Sequence, residues 1–178
     1  MGGFEATTLR TDRLTLRPPG AGDADDQFAA VDDEVRRWMA WSVDYDRDKA
    51  LRWCTEAAFR DLQREVNFVI EPAETGRFAG VIGVGRADWE TGVAETGYWI
   101  GPYARRRGYV AEALRAVAGH AFGLGIYRLE LMAAVGNLAS QGVAEKAGFT
   151  REAVLRKARP VPGGRADMVL FSLLQEDL

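Results

Sequence analysis

The chain is 178 residues long, 47% hydrophobic and 28% charged, with a formal net charge of −3. That length builds one well-buried domain rather than two. The charge gives no bulk attraction for nucleic acid, and no apolar run reaches the length of a membrane span.

Residues 13–17 alternate charged and apolar side chains like a half-exposed strand, which Pro18-Pro19-Gly20 stops. A helix begins at Asp23 and carries Phe28 and Val31, and a short helical piece follows over residues 35–41. Asp46 or Arg47 opens a longer helix reaching about residue 64. In it the only cysteine, Cys54, reads as a buried thiol beside Leu51, Trp53 and Phe59, which excludes an internal disulfide framework. Acidic residues crowd this region: Asp23, Asp25, Asp26, Asp32, Asp33, Glu34, Asp44, Asp46 and Asp48. Helix capping accounts for them, and the alternative is a path for a cationic amine. Residues 66–71 and 78–87 read as strands joined by a turn at Glu74-Thr75-Gly76, and residues 93–100 as a further strand.

The most informative stretch follows. Tyr98 to Gly101 ends a strand, Arg105-Arg106-Arg107-Gly108 makes a turn, and a helix starts at Tyr109. Free backbone N–H groups, a helix N-terminus and three arginines meet at one point, a seat for a phosphate. Val110, Ala113, Leu114, Val117, Ala118, Ala121 and Phe122 share one face of that helix and anchor it to a core. His120, on the flank of that face, reads as structural or exposed. After Gly123 and Gly125, residues 128–135 form a strand, Asn137 caps a helix over residues 138–147, and Gly148 closes it. Residues 149–158 and 166–174 are strands joined through Pro160-Val161-Pro162-Gly163-Gly164. The order describes an α/β fold, a mixed sheet with helices on both faces, built as a single domain over residues 1–178. No His/Cys/Asp set stands at ligand spacing, so no metal site is expected. With no charged-then-apolar leader in view, the expected location is the cytoplasm.

In this order the segments resemble the GCN5-related N-acetyltransferase (GNAT) superfamily, and within it the ribosomal-protein N-terminal, or Rim-type, group. The likeness rests on Thr8-Leu9-Arg10-Thr11-Asp12-Arg13-Leu14-Thr15-Leu16-Arg17-Pro18, Glu95-Thr96-Gly97-Tyr98-Trp99-Ile100, and Arg105-x-x-Gly108-x-Val110. Asn137-Leu138-Ala139-Ser140 with Lys146-Ala147-Gly148-Phe149 completes it, so the resemblance runs from about Thr7 to Leu178.

The resemblance implies a single GNAT-like domain with a largely antiparallel sheet whose fourth and fifth strands, residues 93–100 and 128–135, splay apart. It implies acetyl-CoA as cosubstrate and acetyl transfer to a primary amine, the N-terminal α-amine of a protein such as a ribosomal protein. The alternatives are a small amine (an aminoglycoside, polyamine or amino-acid derivative) and a non-catalytic CoA-binding regulatory module. Homodimers are common in the family. The backbone amides of Arg106, Arg107, Gly108, Tyr109 and Val110 would hold the diphosphate, with Arg105 or Arg107 adding charge, and Trp99, Ile100 and Gly101 would pair with pantetheine. Glu95 is the implied base, acting through water, unless it only solvates a strand start. The family's proton-donating tyrosine is replaced here by Ala144, which leaves Ser140 to hydrogen-bond the sulfur or the carbonyl oxygen, unless it only completes a helix start. Asn137 caps its helix and contacts pantetheine or a water. Trp38, Trp41 and Tyr45 lie on the acceptor side, as pocket walls or as core. Two departures stand out: the family commonly has glycine at Arg106 and a residue smaller than valine at Val110.

Overall fold

The computed structural model describes residues 2–178 and contains one eight-stranded sheet in the order β1-β2-β3-β4-β5-β6-β8-β7. Its strands are β1 (Leu9–Arg10), β2 (Leu14–Arg17), β3 (Val66–Pro72), β4 (Gly80–Asp88), β5 (Val93–Ile100), β6 (Arg128–Ala134), β7 (Thr150–Val161) and β8 (Gly164–Leu174). All neighbours run antiparallel except β5 and β6. The helices are α1 (Ala24–Ala29), α2 (Asp33–Trp38), α3 (Arg47–Thr55), α4 (Tyr109–Gly123) and α5 (Leu138–Ala147).

Strand alternation sorts the core into two layers. Phe68 and Ile70 of β3 join Leu114, Val117, Leu129 and Phe171 in the larger cluster, under α4 and α5. Val69, between them, joins Ala30, Val35, Phe78, Val81 and Trp99 on the opposite face, under α1 and α2. The mixed sheet with helices on both faces is the architecture the sequence predicts.

Three boundaries differ from the sequence reading. The predicted long third helix stops at Thr55, and a single turn over Ala57–Phe59 follows. Tertiary partners claim the next stretch: the Phe4 N–H donates to the Leu62 carbonyl at 2.7 Å, and the Trp89 indole N–H donates to the Gln63 carbonyl at 2.6 Å. A two-residue strand, β1, precedes the predicted opening strand across a turn in which the Thr11 N–H donates to the Leu14 carbonyl. The last hairpin loop is tighter than predicted, only Pro162 and Gly163, with Gly163 at φ 82°.

Two features position the site. All seven apolar residues predicted on the α4 face are buried, and each Val, Leu or Phe among them contributes about 1.5–3 kcal/mol, so the helix start is held firmly. The parallel pairing of β5 with β6 ends at Thr96 opposite Leu131. Beyond that point β5 stays with β4 through Ile100 opposite Gly80, and β6 stays with β8 through Ala134 opposite Met168. The sheet therefore opens into a wedge.

Candidate active site

The wedge decides which side chains can meet. On β5, Glu95, Gly97 and Trp99 face the α1–α3 side, and Thr96, Tyr98 and Ile100 face α4 and α5. In an intact sheet these two sets would be separated by backbone. Here Glu95, Trp99, Asn137 and Ser140 all line one cavity of about 1010 Å³ that passes through the gap. The Gly101 N–H donates to the Ala79 carbonyl at 2.8 Å, toward β4. Peptide groups alternate along a strand, so those of Trp99 are turned to β4 as well, and those of Tyr98 and Ile100 face the gap. Of the three residues assigned to pantetheine, Ile100 thus offers its backbone to an incoming extended arm.

At the open end of the wedge, past the C-terminal end of β5, α4 begins without a side-chain cap. Its N-cap is Gly108, at φ 79°, and among the described residues no side chain bonds the first-turn amides. The amides of Tyr109, Val110 and Ala111 are first-turn donors without intrahelical partners, which leaves them for an anion. Arg106 adopts φ 61°, the left-handed region that glycine enters at no cost, which gives the family's usual glycine there a physical reason. The side chains of Tyr109 and Val110 are buried, so those residues reach the seat only through their backbone.

The three arginines of the turn do different things. Arg105 is committed to Asp32, with Nη1 and Nη2 at 2.8 and 2.7 Å from its two oxygens, and also donates to the Ile100 carbonyl at 3.2 Å. Arg107 pairs with Glu74 at 2.9 Å. Arg106 is exposed and makes no ion pair among the described residues. Two cations that the sequence reading did not single out arrive instead from distant segments. Arg13 donates to the Arg107 carbonyl at 3.0 Å and stacks over the Tyr109 ring, and a Cβ on Gly108 would lie 3.5 Å from its Nη2 and 3.6 Å from Lys146 Nζ. Neither lies near the turn in sequence, so only their positions in the fold mark them.

Glu95 is held by Arg159, whose Nη2 donates to its Oε2, and Arg86 Nη1 stands 3.4 Å from the same oxygen. Oε1 accepts no hydrogen bond among the described residues, and Glu95 lines the cavity. Across the gap, Asn137 caps α5 by accepting the Ser140 N–H at 3.0 Å. The Ser140 hydroxyl lies 2.8 Å from the Tyr98 hydroxyl, a partner the sequence reading did not assign. Burial pushes the Tyr98 phenol up to about 12, so it stays protonated at neutral pH, while the bond to Ser140 opposes that shift. Ala144, where the family carries its tyrosine, is fully buried in the core.

Trp38, Trp41 and Tyr45 all line the same cavity. Trp41 packs edge-on against Tyr45 at 5.0 Å and leans on Trp99 at 5.7 Å. Trp38 reaches across to Gly136, where an added Cβ would lie 3.3 Å from its ring. The acidic cluster is used elsewhere: Asp23 pairs with Arg17, Asp25 with Arg47 and Asp32 with Arg105, and Asp46 caps α3. None of the cluster lines the cavity.

Asp32 also caps α2, so Arg105 ties the phosphate turn to the helix that carries Trp38. The Arg105 hydrogen bonds, followed by that of the Val35 amide, hold the Asp32 carboxyl below the usual carboxylate range. A lowered folded-state value means that the pair stabilises the fold above about pH 3.9, the unfolded value, and that this contribution is lost as pH falls through the lower one. Arg105→Ala is expected to cost about 1–3 kcal/mol, read as a fall in Tm of several degrees that shrinks in acid. An unchanged Tm at neutral pH would refute the tie.

Comparison with known proteins accords with this geometry. A family model described as Acetyltransferase (GNAT) domain matches residues 13–150. The uncharacterized N-acetyltransferase YoaA of Bacillus subtilis is 31% identical over 170 residues, covering 94% of this chain and 96% of that one. YdaF of the same organism, provisionally named a ribosomal N-acetyltransferase, is 35% identical over 103 residues, 57% of this chain and 56% of its own. Among solved structures, Mycobacterium smegmatis RimJ in complex with CoA-disulfide superposes with a TM-score of 0.88 at 23% identity, covering 100% of this chain and 92% of that one.

Proposed function

The chain belongs to the GNAT acetyltransferase family, an enzyme that transfers acetyl from acetyl-CoA to nitrogen, and from that premise we propose that its acceptor is the N-terminal α-amine of a protein such as a ribosomal protein. One observation carries this reading: a wedge whose end is an uncapped helix start and whose two walls bring a carboxylate and a hydroxyl to one cavity. The provisional name of YdaF points to the same acceptor class. A ribosomal acceptor would put the enzyme in the cytoplasm.

In this reading acetyl-CoA lies along the wedge. The α4 amides hold its diphosphate, Arg106 and Lys146 add positive potential, and the Ile100 and Tyr98 peptide groups pair with its pantetheine arm. Asn137, its carboxamide oxygen capping α5, lines the same channel. The amine enters from the α1–α3 side, where Trp41 and Gly97 line the cavity, and reaches the thioester beside Glu95. Oε1 of Glu95 takes the proton, through a water. The amine nitrogen then forms a bond to the thioester carbon, the carbon–sulfur bond breaks, and the electron pair leaves on sulfur. The second proton of the amine passes to that sulfur through the Ser140 hydroxyl, which Tyr98 holds in place from the opposite wall.

A modest base of this kind suits an α-amine. With a pKa of about 7.8 an α-amine is roughly one-quarter neutral at pH 7.4, and a lysine at about 10.4 only about one part in a thousand. The small-cation alternative drew on the early acidic residues, none of which lines the cavity. The deciding experiment is thiol release with acetyl-CoA against a panel of N-terminal peptides, lysine peptides with blocked N-termini, aminoglycosides and polyamines. Turnover of the peptides with free α-amines supports the reading, and turnover confined to small amines refutes it.

Gly97 supplies a second test. It sits between Glu95 and Trp99 on the acceptor side, and a Cβ there meets nothing within 4 Å. Gly97→Leu is expected to fold normally, keep its affinity for acetyl-CoA, and raise the peptide KM at least about tenfold by filling the entrance. A normal peptide KM would mean that the acceptor enters elsewhere.

A further inference from the structure

The cavity wall beside Glu95 carries surplus positive charge. Arg159 and Arg86 converge on a single carboxylate oxygen, so the trio is net cationic at the point where the acceptor must stand. Elsewhere the wall adds three cationic side chains and two carboxylates, which leaves the surplus in place. Arg159 is the telling member. Its side chain is only 21% exposed, and among the described residues its sole acceptor is Glu95 Oε2. A guanidinium has five donors, and a mostly buried one with a single acceptor is underused.

The fold takes trouble to put Arg159 there. Between Leu155 and Arg159, β7 advances four residues while β8 retreats only from Met168 to Ala166. The resulting bulge places Lys157 at φ 49°, and Asp167 pins it by accepting the Lys157 N–H at 2.9 Å. Arg165 pins it from the other side, donating to the Lys157 carbonyl at 2.7 Å and the Ala158 carbonyl at 3.1 Å. Bulges of this kind re-aim side chains beside active sites, and this one sets Arg159 on the cavity wall.

We infer that Arg159 and Arg86 form an anion-recognition subsite that selects acceptors bearing a carboxylate close to the reacting amine. This rests on the α-amine reading above and deepens it: the preferred acceptor is a peptide with an acidic residue just after its N-terminal residue. The free donors of Arg159 meet that carboxylate, and Glu95 keeps its own oxygen for the amine.

The test compares two peptides that differ only in Asp or Asn at the second position, assayed by thiol release at low ionic strength. Wild type is expected to favour the Asp peptide by roughly tenfold to a hundredfold in KM, the range of a charge-assisted contact, with the ratio falling as salt rises. In Arg159→Gln the ratio is expected to collapse to within about twofold, with the dissociation constant of acetyl-CoA unchanged. Arg86→Gln, at a far more exposed position, provides the same readout should the first variant fold poorly. Equal use of both peptides by wild type, or a ratio that survives both substitutions, overturns the inference. If no peptide is acetylated, the α-amine reading fails separately, and a free amino acid compared with its amide then decides: preference for the acid upholds the subsite, and equality overturns it.

Discussion

Gly108→Asp is expected to leave a folded protein that no longer binds acetyl-CoA, with its dissociation constant raised at least about a hundredfold. Gly108 sits at φ 79° at the start of α4. Aspartate enters that left-handed region more readily than most residues, so the backbone penalty is small, about 1 kcal/mol. Its carboxylate would lie at a helix N-terminus, where negative charge is stabilising, and within reach of Arg13 and Lys146, whose terminal nitrogens stand 3.5 and 3.6 Å from the added Cβ. It would act as an internal anion in the place reserved for the diphosphate. The same forces that keep the variant folded therefore exclude the ligand. Gly108→Ala separates the two effects, since it carries the backbone strain without the charge and is expected to lose far less affinity. Calorimetry showing normal acetyl-CoA binding to Gly108→Asp would place the diphosphate away from α4.

Glu95→Gln is expected to lower kcat by roughly 10²–10³-fold near neutral pH, the usual worth of a general base, with acetyl-CoA affinity unchanged. Glutamine retains an oxygen for Arg159, so the wall beside β5 keeps its shape. The deficit is expected to narrow as pH rises past about 8, where the α-amine is already neutral and needs no base. Tyr98 supports that assignment of the pH limb: its phenol, raised to about 12 by burial, does not titrate in the range where the enzyme is assayed. A loss smaller than about threefold at pH 7 would mean that the amine arrives neutral and Glu95 serves only to hold Arg159 and Arg86.

Local pattern and tertiary context contributed differently along this chain. The α4 stripe from Val110 to Phe122, the Asn137 cap and the Gly148 stop were all legible, because each is set by neighbours within a few residues. The third predicted helix was not, because Phe4 and Trp89 take the carbonyls of Leu62 and Gln63 from far away in sequence. Among the candidate site residues, Glu95, Ser140 and Asn137 were named from the family resemblance and do line one cavity. Their immediate partners were not foreseen. Tyr98 bonds Ser140 across 42 positions, and Arg159 bonds Glu95 across 64. Arg105 looked like a phosphate ligand for its place in the turn, but its partner Asp32 is 73 residues distant.

The order of helices and strands, the uncapped helix start after the arginine turn, and membership of an acetyl-transferring family were thus written in the amino acids, since backbone periodicity and turn chemistry act over short spans of chain. The point at which β5 and β6 part, the pairing of each arginine, and the cationic stretch of cavity wall beside Glu95 were not. Those depend on which distant segments the packed core brings within a few ångströms of one another, and charged groups choose partners by distance in space rather than by position along the backbone.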